Sequence, residues 1–169
     1  MRLEEVYTAP AGGEPMRRHD SIDALEGGLA GDRYRSGDGH YSPYDVCEIT
    51  LVRAEAIEAI EREAGIDLAE GRHRRNLVVR GGDVHDLLDC RFALGGAVLV
   101  GTRPRPPCRY IEQLTGAEGL MRALGEGRGG ICARVEAPGE ISVGDEVSVL
   151  ERRDDFEGLI ARIRDRAGR

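Results

Sequence analysis

The chain has 169 residues and a formal net charge of −7, a length that fits one domain and a charge that excludes a broad footprint for nucleic acid or anionic lipid. All 24 basic residues are arginine, so an internal Schiff base to pyridoxal phosphate and a P-loop lysine are both excluded. Glycine, at 24 residues, has about twice its usual ~7% share while aromatic residues make up 4%, which points to many tight turns around a core of Val, Ile, Leu and Ala.

Residues 3–8 read as a first strand, 10–15 as a Pro/Gly turn and 21–25 as a second strand. Residues 26–39 carry Gly27, Gly28, Gly31, Gly37 and Gly39 and are expected to be mostly turns, with Gly31-Asp32-Arg33-Tyr34 embedded in them. Residues 46–52 are strand-like and 53–64 helical, with Ala54, Ile57 and Ile60 on one stripe, Glu58 spaced to pair with Arg62, and Gly65 as the stop. Asn76-Leu-Val-Val-Arg80 suits a short buried strand, and Asp83 is placed to cap a single turn over 83–88. Strands over 91–94 and 97–102 flank Gly95-Gly96, a pair suited to a tight hairpin. Short helices are expected over 109–114 and 117–124, and further strands over 131–136 and 146–150. In the last segment Phe156, Leu159, Ile160, Ile163 and Ala167 fall on one helical stripe, with acids at its start and Arg162, Arg164 and Arg166 near its end. The expected architecture is a β-rich α+β fold: a small β-barrel over 1–150 with short peripheral helices, and a C-terminal amphipathic helix over 151–169 packing on the same domain.

Glu4, Glu5, Glu14 and Arg17 interrupt the first residues, so no secretory, transit or membrane segment is read there, and a cytoplasmic location with no membrane partner is expected. The cysteines at 47, 90, 108 and 132 form no C-x-x-C pair and no zinc spacing with His19, His40, His73 or His85, so neither zinc nor disulfides are expected. Three of them lie in apolar, strand-like sequence that suits buried thiols. Cys108 differs. It follows Arg103-Pro104-Arg105-Pro106-Pro107, whose prolines stiffen the approach, and it precedes a short helix. A helix N-terminus together with Arg105 and Arg109 favours thiolate over thiol, the form that attacks or binds metal; a small buried hydrophobe is the other reading.

Two arginine-bearing windows contain no acid. Residues 72–82 hold Arg72, His73, Arg74, Arg75 and Arg80, and between 89 and 112 lie Arg91, Arg103, Arg105 and Arg109. Such windows in an acidic chain suit a pocket for a small anion such as phosphate; solvated surface arginine is the alternative for any one of them. Arg33 is a further candidate anion contact, with pairing to Asp32 as its structural role. Gly129-Gly130 either offers N–H groups to a phosphate or permits a turn. His73 reads as a surface histidine.

In order along the chain, Gly28-Leu-Ala-Gly-Asp-Arg33, His73-Arg-Arg-Asn-Leu-Val-Val79, Phe92-Ala-Leu-Gly95, Pro106-Pro-Cys108 with Ile111-Glu112, Arg128-Gly-Gly-Ile-Cys-Ala-Arg-Val135 and Gly139-Glu-Ile-Ser-Val-Gly-Asp-Glu-Val147 resemble the MOSC domain, named after the C-terminal part of molybdenum-cofactor sulfurases. The resemblance implies a β-barrel and a cysteine, here Cys108, that binds the molybdenum of a pterin cofactor or carries sulfur as a persulfide. It further implies that Arg74, Arg75 and Asn76 lie near the pterin and its phosphate; Arg33, Arg105 and Arg109 join them as candidate cofactor contacts. Two functions follow as expectations: a molybdenum-dependent reductase of N-hydroxylated small molecules served by a redox partner, or a non-catalytic sulfur carrier served by a desulfurase protein. The desulfurase part of a full sulfurase needs pyridoxal phosphate, which this chain is not equipped to use.

Overall fold

The structure, a computed structural model, describes residues 1–39, 47–125 and 127–152. Eleven strands appear among these residues: β1 Arg2–Thr8, β2 Arg17–His19, β3 Ser21–Leu25, β4 Gly28–Leu29, β5 Ile49–Arg53, β6 Leu77–Arg80, β7 Cys90–Leu94, β8 Ala97–Pro104, β9 Ile131–Ala137, β10 Gly139–Ser142 and β11 Val147–Arg152. Helices are few and short: α1 Arg33–Ser36, α2 Ala54–Ala64, α3 Arg109–Thr115 and α4 Leu120–Ala123. The expected C-terminal helix over 151–169 falls, from residue 153 onward, outside the described residues.

Eight strands form one curled sheet in the order β11-β7-β8-β9-β5-β6-β1-β2, and β10-β3-β4 form a second. Only β5 and β6 pair in parallel; α2 makes the crossover between them. The long sheet bends until its ends meet. Leu3 N–H donates to the Asp145 carbonyl at 2.8 Å, Gly144 N–H to Leu3 at 2.8 Å and Val147 N–H to Met1 at 2.9 Å, which places Arg2 opposite Glu146 and satisfies the lower half of the β1 edge. β2 covers the upper half, pairing Val6 with His19 and Thr8 with Arg17.

Alternation along the strands fills the barrel. Ile49 and Leu51 of β5, Leu77 and Val79 of β6, Phe92 and Leu94 of β7, and Leu99 of β8 are fully buried in one cluster. Ala24, Leu29 and Ile141 of the small sheet join that cluster and plug its end. Val52 and Val78 face the other way, beneath α2, and are also buried, as expected for parallel strands covered on both sides. A second cluster of Ile60, Leu68, Ile111, Leu120 and Leu124 packs α2, α3 and α4 together and so fixes the helix that begins at Cys108.

Local signals account for most boundaries. Gly65 closes α2 with φ 65°, Asp83 caps a 3-10 turn over Val84–Leu87, and Gly95-Gly96 is the two-residue link between Leu94 and Ala97. Three expectations are corrected. Glu58 bonds Arg80 rather than Arg62, because β6 brings a second cation to the helix face. Gly119 takes φ 84° and delays the helix expected at 117, so that α4 starts at Leu120. His73 is buried, with 1% of its surface exposed.

Asn76 is a polar residue buried in the core with its whole side chain bonded. Its Oδ1 accepts from the Thr50 amide at 3.1 Å and the Thr50 hydroxyl at 2.8 Å, and its Nδ2 donates to the Tyr7 carbonyl at 3.1 Å and to Asp32 Oδ2 at 3.0 Å. Asn76→Ala is expected to leave at least three buried groups unpaired and to cost about 3 kcal/mol or more. Urea denaturation should show a lowered midpoint at an unchanged slope. Asn76→Asp should fare no better, since it sets a second carboxylate against Asp32.

Candidate functional site

Asp32 is the buried carboxylate on which the site is assembled. It caps α1 by accepting from Tyr34 N–H at 3.1 Å, takes the Ala9 amide at 3.0 Å and Asn76 Nδ2 at 3.0 Å, and pairs with Arg33 at 3.2 Å. Arg33 in turn donates to the Arg74 carbonyl at 3.2 Å, so the loop before α1 holds the loop before β6. At that point Arg74 has φ 60°, a left-handed conformation that is uncommon for a residue with a side chain and is retained here by bonds on both sides.

The glycine pair at 129–130 serves through its carbonyls. Gly129 accepts from Arg75 Nε at 2.8 Å, and Gly130 accepts from the Arg105 amide at 2.8 Å. Gly130 has φ 82°, and a Cβ there would stand 2.0 Å from the Leu51 carbonyl, so only glycine lets this turn lie against β5. The two acid-free windows are thereby tied to one turn, one through a side chain and the other through its backbone.

Arg33, Arg74, Arg75 and Arg105 line a single cleft with Tyr34 and Cys108. Pro106, Pro107, Ile111 and Leu114 supply its apolar wall, and its free volume is about 40 Å³. Among the described residues no carboxylate lines it. Cys108 is half-buried and stands as the N-cap of α3 in extended conformation without a side-chain capping bond, so the helix does not occupy its thiol. Cys47, Cys90 and Cys132 are buried.

The charges in this cleft repel one another. Arg75 is buried and donates only to backbone carbonyls, those of Gly129 and His73; burial first and Arg105 second pull its pKa down to about 10. Burial and then Arg33 lower that of Arg74. Arg105 donates to the Tyr34 hydroxyl at 3.1 Å, and Arg33 lies over the Tyr34 ring at 4.7 Å. Burial raises the Tyr34 pKa, with Arg105 opposing, so its hydroxyl stays protonated. An anion entering the cleft would be attracted by these guanidinium groups.

The remaining candidates lie elsewhere. Asn76 has its whole side chain committed to the core, and Arg109 is exposed and does not line the cleft. Arg72 pairs with Asp67, Arg80 with Glu4 and Glu58, and Arg91 with Glu136 and Glu151. Tyr34 is the contributor that sequence reasoning missed; its only signal was its place directly after Asp32-Arg33. Among the described residues no three His, Cys, Asp or Glu side chains gather into a metal-binding group, and no helix is long and apolar enough to cross a membrane.

Barrel and cleft together define a small β-rich protein with one cysteine and four arginines lining a single cleft. The chain belongs to the MOSC domain family, whose sequence model matches residues 31–148. It has no significant match among curated proteins. Among solved structures it is similar to YuaD from Bacillus subtilis, at a TM-score of 0.73 and 23% identity over 88% of this chain and 94% of that one. It is also similar to YiiM from Escherichia coli, at 0.68 and 20% over 92% and 72%, and to YiiM from Geobacillus stearothermophilus, at 0.66 and 16% over 90% and 77%. At these identities the likeness is one of fold.

Two outcomes follow from the electrostatics. Orthophosphate should raise the thermal midpoint more than chloride at equal ionic strength, and Arg74→Gln should shrink that difference, as differential scanning fluorimetry can show. His73 has its pKa lowered from 6.5 to about 3, by burial first and Arg75 second. As pH falls from 6.5 toward 3 the unfolded chain gains a proton that the folded one refuses, so stability drops by up to about 1.4 kcal/mol per pH unit in that window. In His73→Gln, urea midpoints measured between pH 7 and 4 should fall less steeply.

Proposed function

We propose that the chain binds a molybdenum–pterin cofactor at the arginine cleft, with Cys108 as a sulfur ligand to the metal, and reduces a small N-hydroxylated substrate. One observation carries this reading: a half-buried thiol with no capping role beside guanidinium groups that lack a lining carboxylate among the described residues. The donor chemistry fits, since soft sulfur suits molybdenum and arginine forks suit the oxygens of a phosphate.

Each residue then has a task of its own. Pro106 and Pro107 hold the Cys108 backbone, and the packing of Ile111 fixes α3 behind it. Arg74 and Arg75 offer N–H donors to phosphate oxygens, while Asp32 keeps Arg33 as a brace beneath Arg74. Tyr34 orients the Arg105 guanidinium, and Ile111 and Leu114 limit water at the sulfur. A bound molybdenum–pterin group would supply two-electron chemistry, with electrons drawn from a separate redox protein.

The cleft's size favours a second reading. About 40 Å³ admits a single sulfur or a small anion, whereas pockets that enclose a cofactor commonly hold about 300–1,000 Å³. In that reading Cys108 is a sulfur carrier. Its thiolate attacks the outer sulfur of a persulfide on a desulfurase protein, a new S–S bond forms at Cys108 Sγ, and the donor's thiolate departs.

Protein purified from a host that makes the cofactor separates the two. The first reading expects about one molybdenum per chain in the parent and almost none in Cys108→Ser, by elemental analysis. Molybdenum retained in the variant would remove Cys108 as its ligand. Metal-free parent protein that gains the mass of one sulfur from a desulfurase, with no gain in the variant, would establish the carrier instead.

A further inference from the structure

The loop that turns Arg74 and Arg75 into the arginine cleft contributes His73 to a different and larger one. This second cleft, about 680 Å³, lies between α2 and the strands β1 and β6, with residues 68–70 at its border. Its volume is in the range of small-molecule sites. Ala54, Ile57, Leu68 and Val78 give it an apolar floor, and five glutamates stand against two arginines around it. Arg80 is taken up by Glu4 and Glu58, and Arg18 pairs with Glu5 at 3.5 Å. Among the described residues the Glu61 carboxylate accepts only the Leu68 amide, at 3.0 Å, and Glu70 makes no ion pair.

A surplus of exposed carboxylates is by itself only a solvated rim. His73 adds an independent observation. Its Nδ1 accepts the Arg75 amide at 3.1 Å, which places the ring hydrogen of the neutral imidazole on Nε2. His73 lines this cleft and its Nε2 is buried without a hydrogen-bond partner among the described residues, while the Tyr7 ring stands edge-on to the imidazole at 5.4 Å. A buried donor left without an acceptor is unfavourable. Tyr7 does not supply one, because its hydroxyl donates to Glu5 at 3.2 Å.

We propose that this cleft is a second ligand site, for a small organic cation that carries a hydrogen-bond acceptor. The acceptor sits on His73 Nε2–H, the positive charge lies between Glu61 and Glu70, and the apolar body rests on Ile57, Leu68 and Val78. The site is separate from the arginine cleft in charge as well as in position, one selecting anions and the other cations. It stands whether or not the cofactor reading of the first cleft holds.

N-acetyl-L-argininamide, a guanidinium cation with amide carbonyls, is a suitable probe, and N-acetyl-L-citrullinamide is its neutral counterpart. Titrated into the full chain with 15N-labelled histidine, the cation should shift the His73 ring resonances saturably and the neutral probe should bind about tenfold or more weakly. The Glu61→Gln/Glu70→Gln variant, which keeps an acceptor for the Leu68 amide, should lose that preference. No saturable shift at His73, equal binding of both probes, or a bound water on Nε2–H that the cation does not displace would each overturn the proposal.

Discussion

The hydrogen bond from Asn76 to Asp32, 3.0 Å long and fully buried, is the constraint from which the arginine cleft follows. Asp32 belongs to the loop that enters α1 and Asn76 to the loop that enters β6, two segments separated by 44 positions in the chain. Each residue spends its remaining capacity on other buried groups: Asp32 on Ala9, Arg33 and Tyr34, and Asn76 on Tyr7 and Thr50. A buried polar network of this kind specifies geometry only when every member is satisfied, and these two are. With the bond in place, Arg33 and Tyr34 on one side and Arg74 and Arg75 on the other have a single arrangement.

What that arrangement produces is an accumulation of like charge. Burying Arg75 without a carboxylate among the described residues is unfavourable, and adding Arg74 and Arg105 nearby makes it more so. The carbonyls of Gly129 and His73 offset only part of this. Guanidinium groups gathered in this way favour an anionic ligand, which is the physical content of the cofactor reading and of the sulfur-carrier reading alike, since a persulfide sulfur is also anionic. Charge therefore distinguishes this cleft, which Cys108 lines together with Arg33, Arg74, Arg75 and Arg105.

Much of the fold was legible because it rests on local rules. Short apolar runs marked β5, β6 and β7, Gly65 marked the end of α2, and Asp83 marked the start of the turn over Val84–Leu87, each through a force that acts within a few positions. The closure of the barrel was not legible, for it consists of backbone bonds between Met1–Leu3 and residues 144–147 that no side-chain pattern announces. The candidate site was legible in part. Acid-free windows pointed to Arg74, Arg75 and Arg105, but the windows themselves did not separate them from Arg72, Arg80 and Arg91, whose carboxylate partners all lie outside the windows, from Asp67 nearby to Glu4, Glu58, Glu136 and Glu151 on other elements. Asn76 sits inside the right motif for a reason other than ligand contact, since its side chain is consumed in holding the motif still. His73 was misread because the burial of a histidine depends on what tertiary packing places over it.

Crystals soaked in selenate, examined at the selenium edge, address the central claim most directly. The account predicts an anomalous peak in the cleft beside Cys108, within hydrogen-bond reach of Arg74 and Arg75. Selenate bound only elsewhere on the surface, with Arg75 engaged by a protein carboxylate, would contradict it.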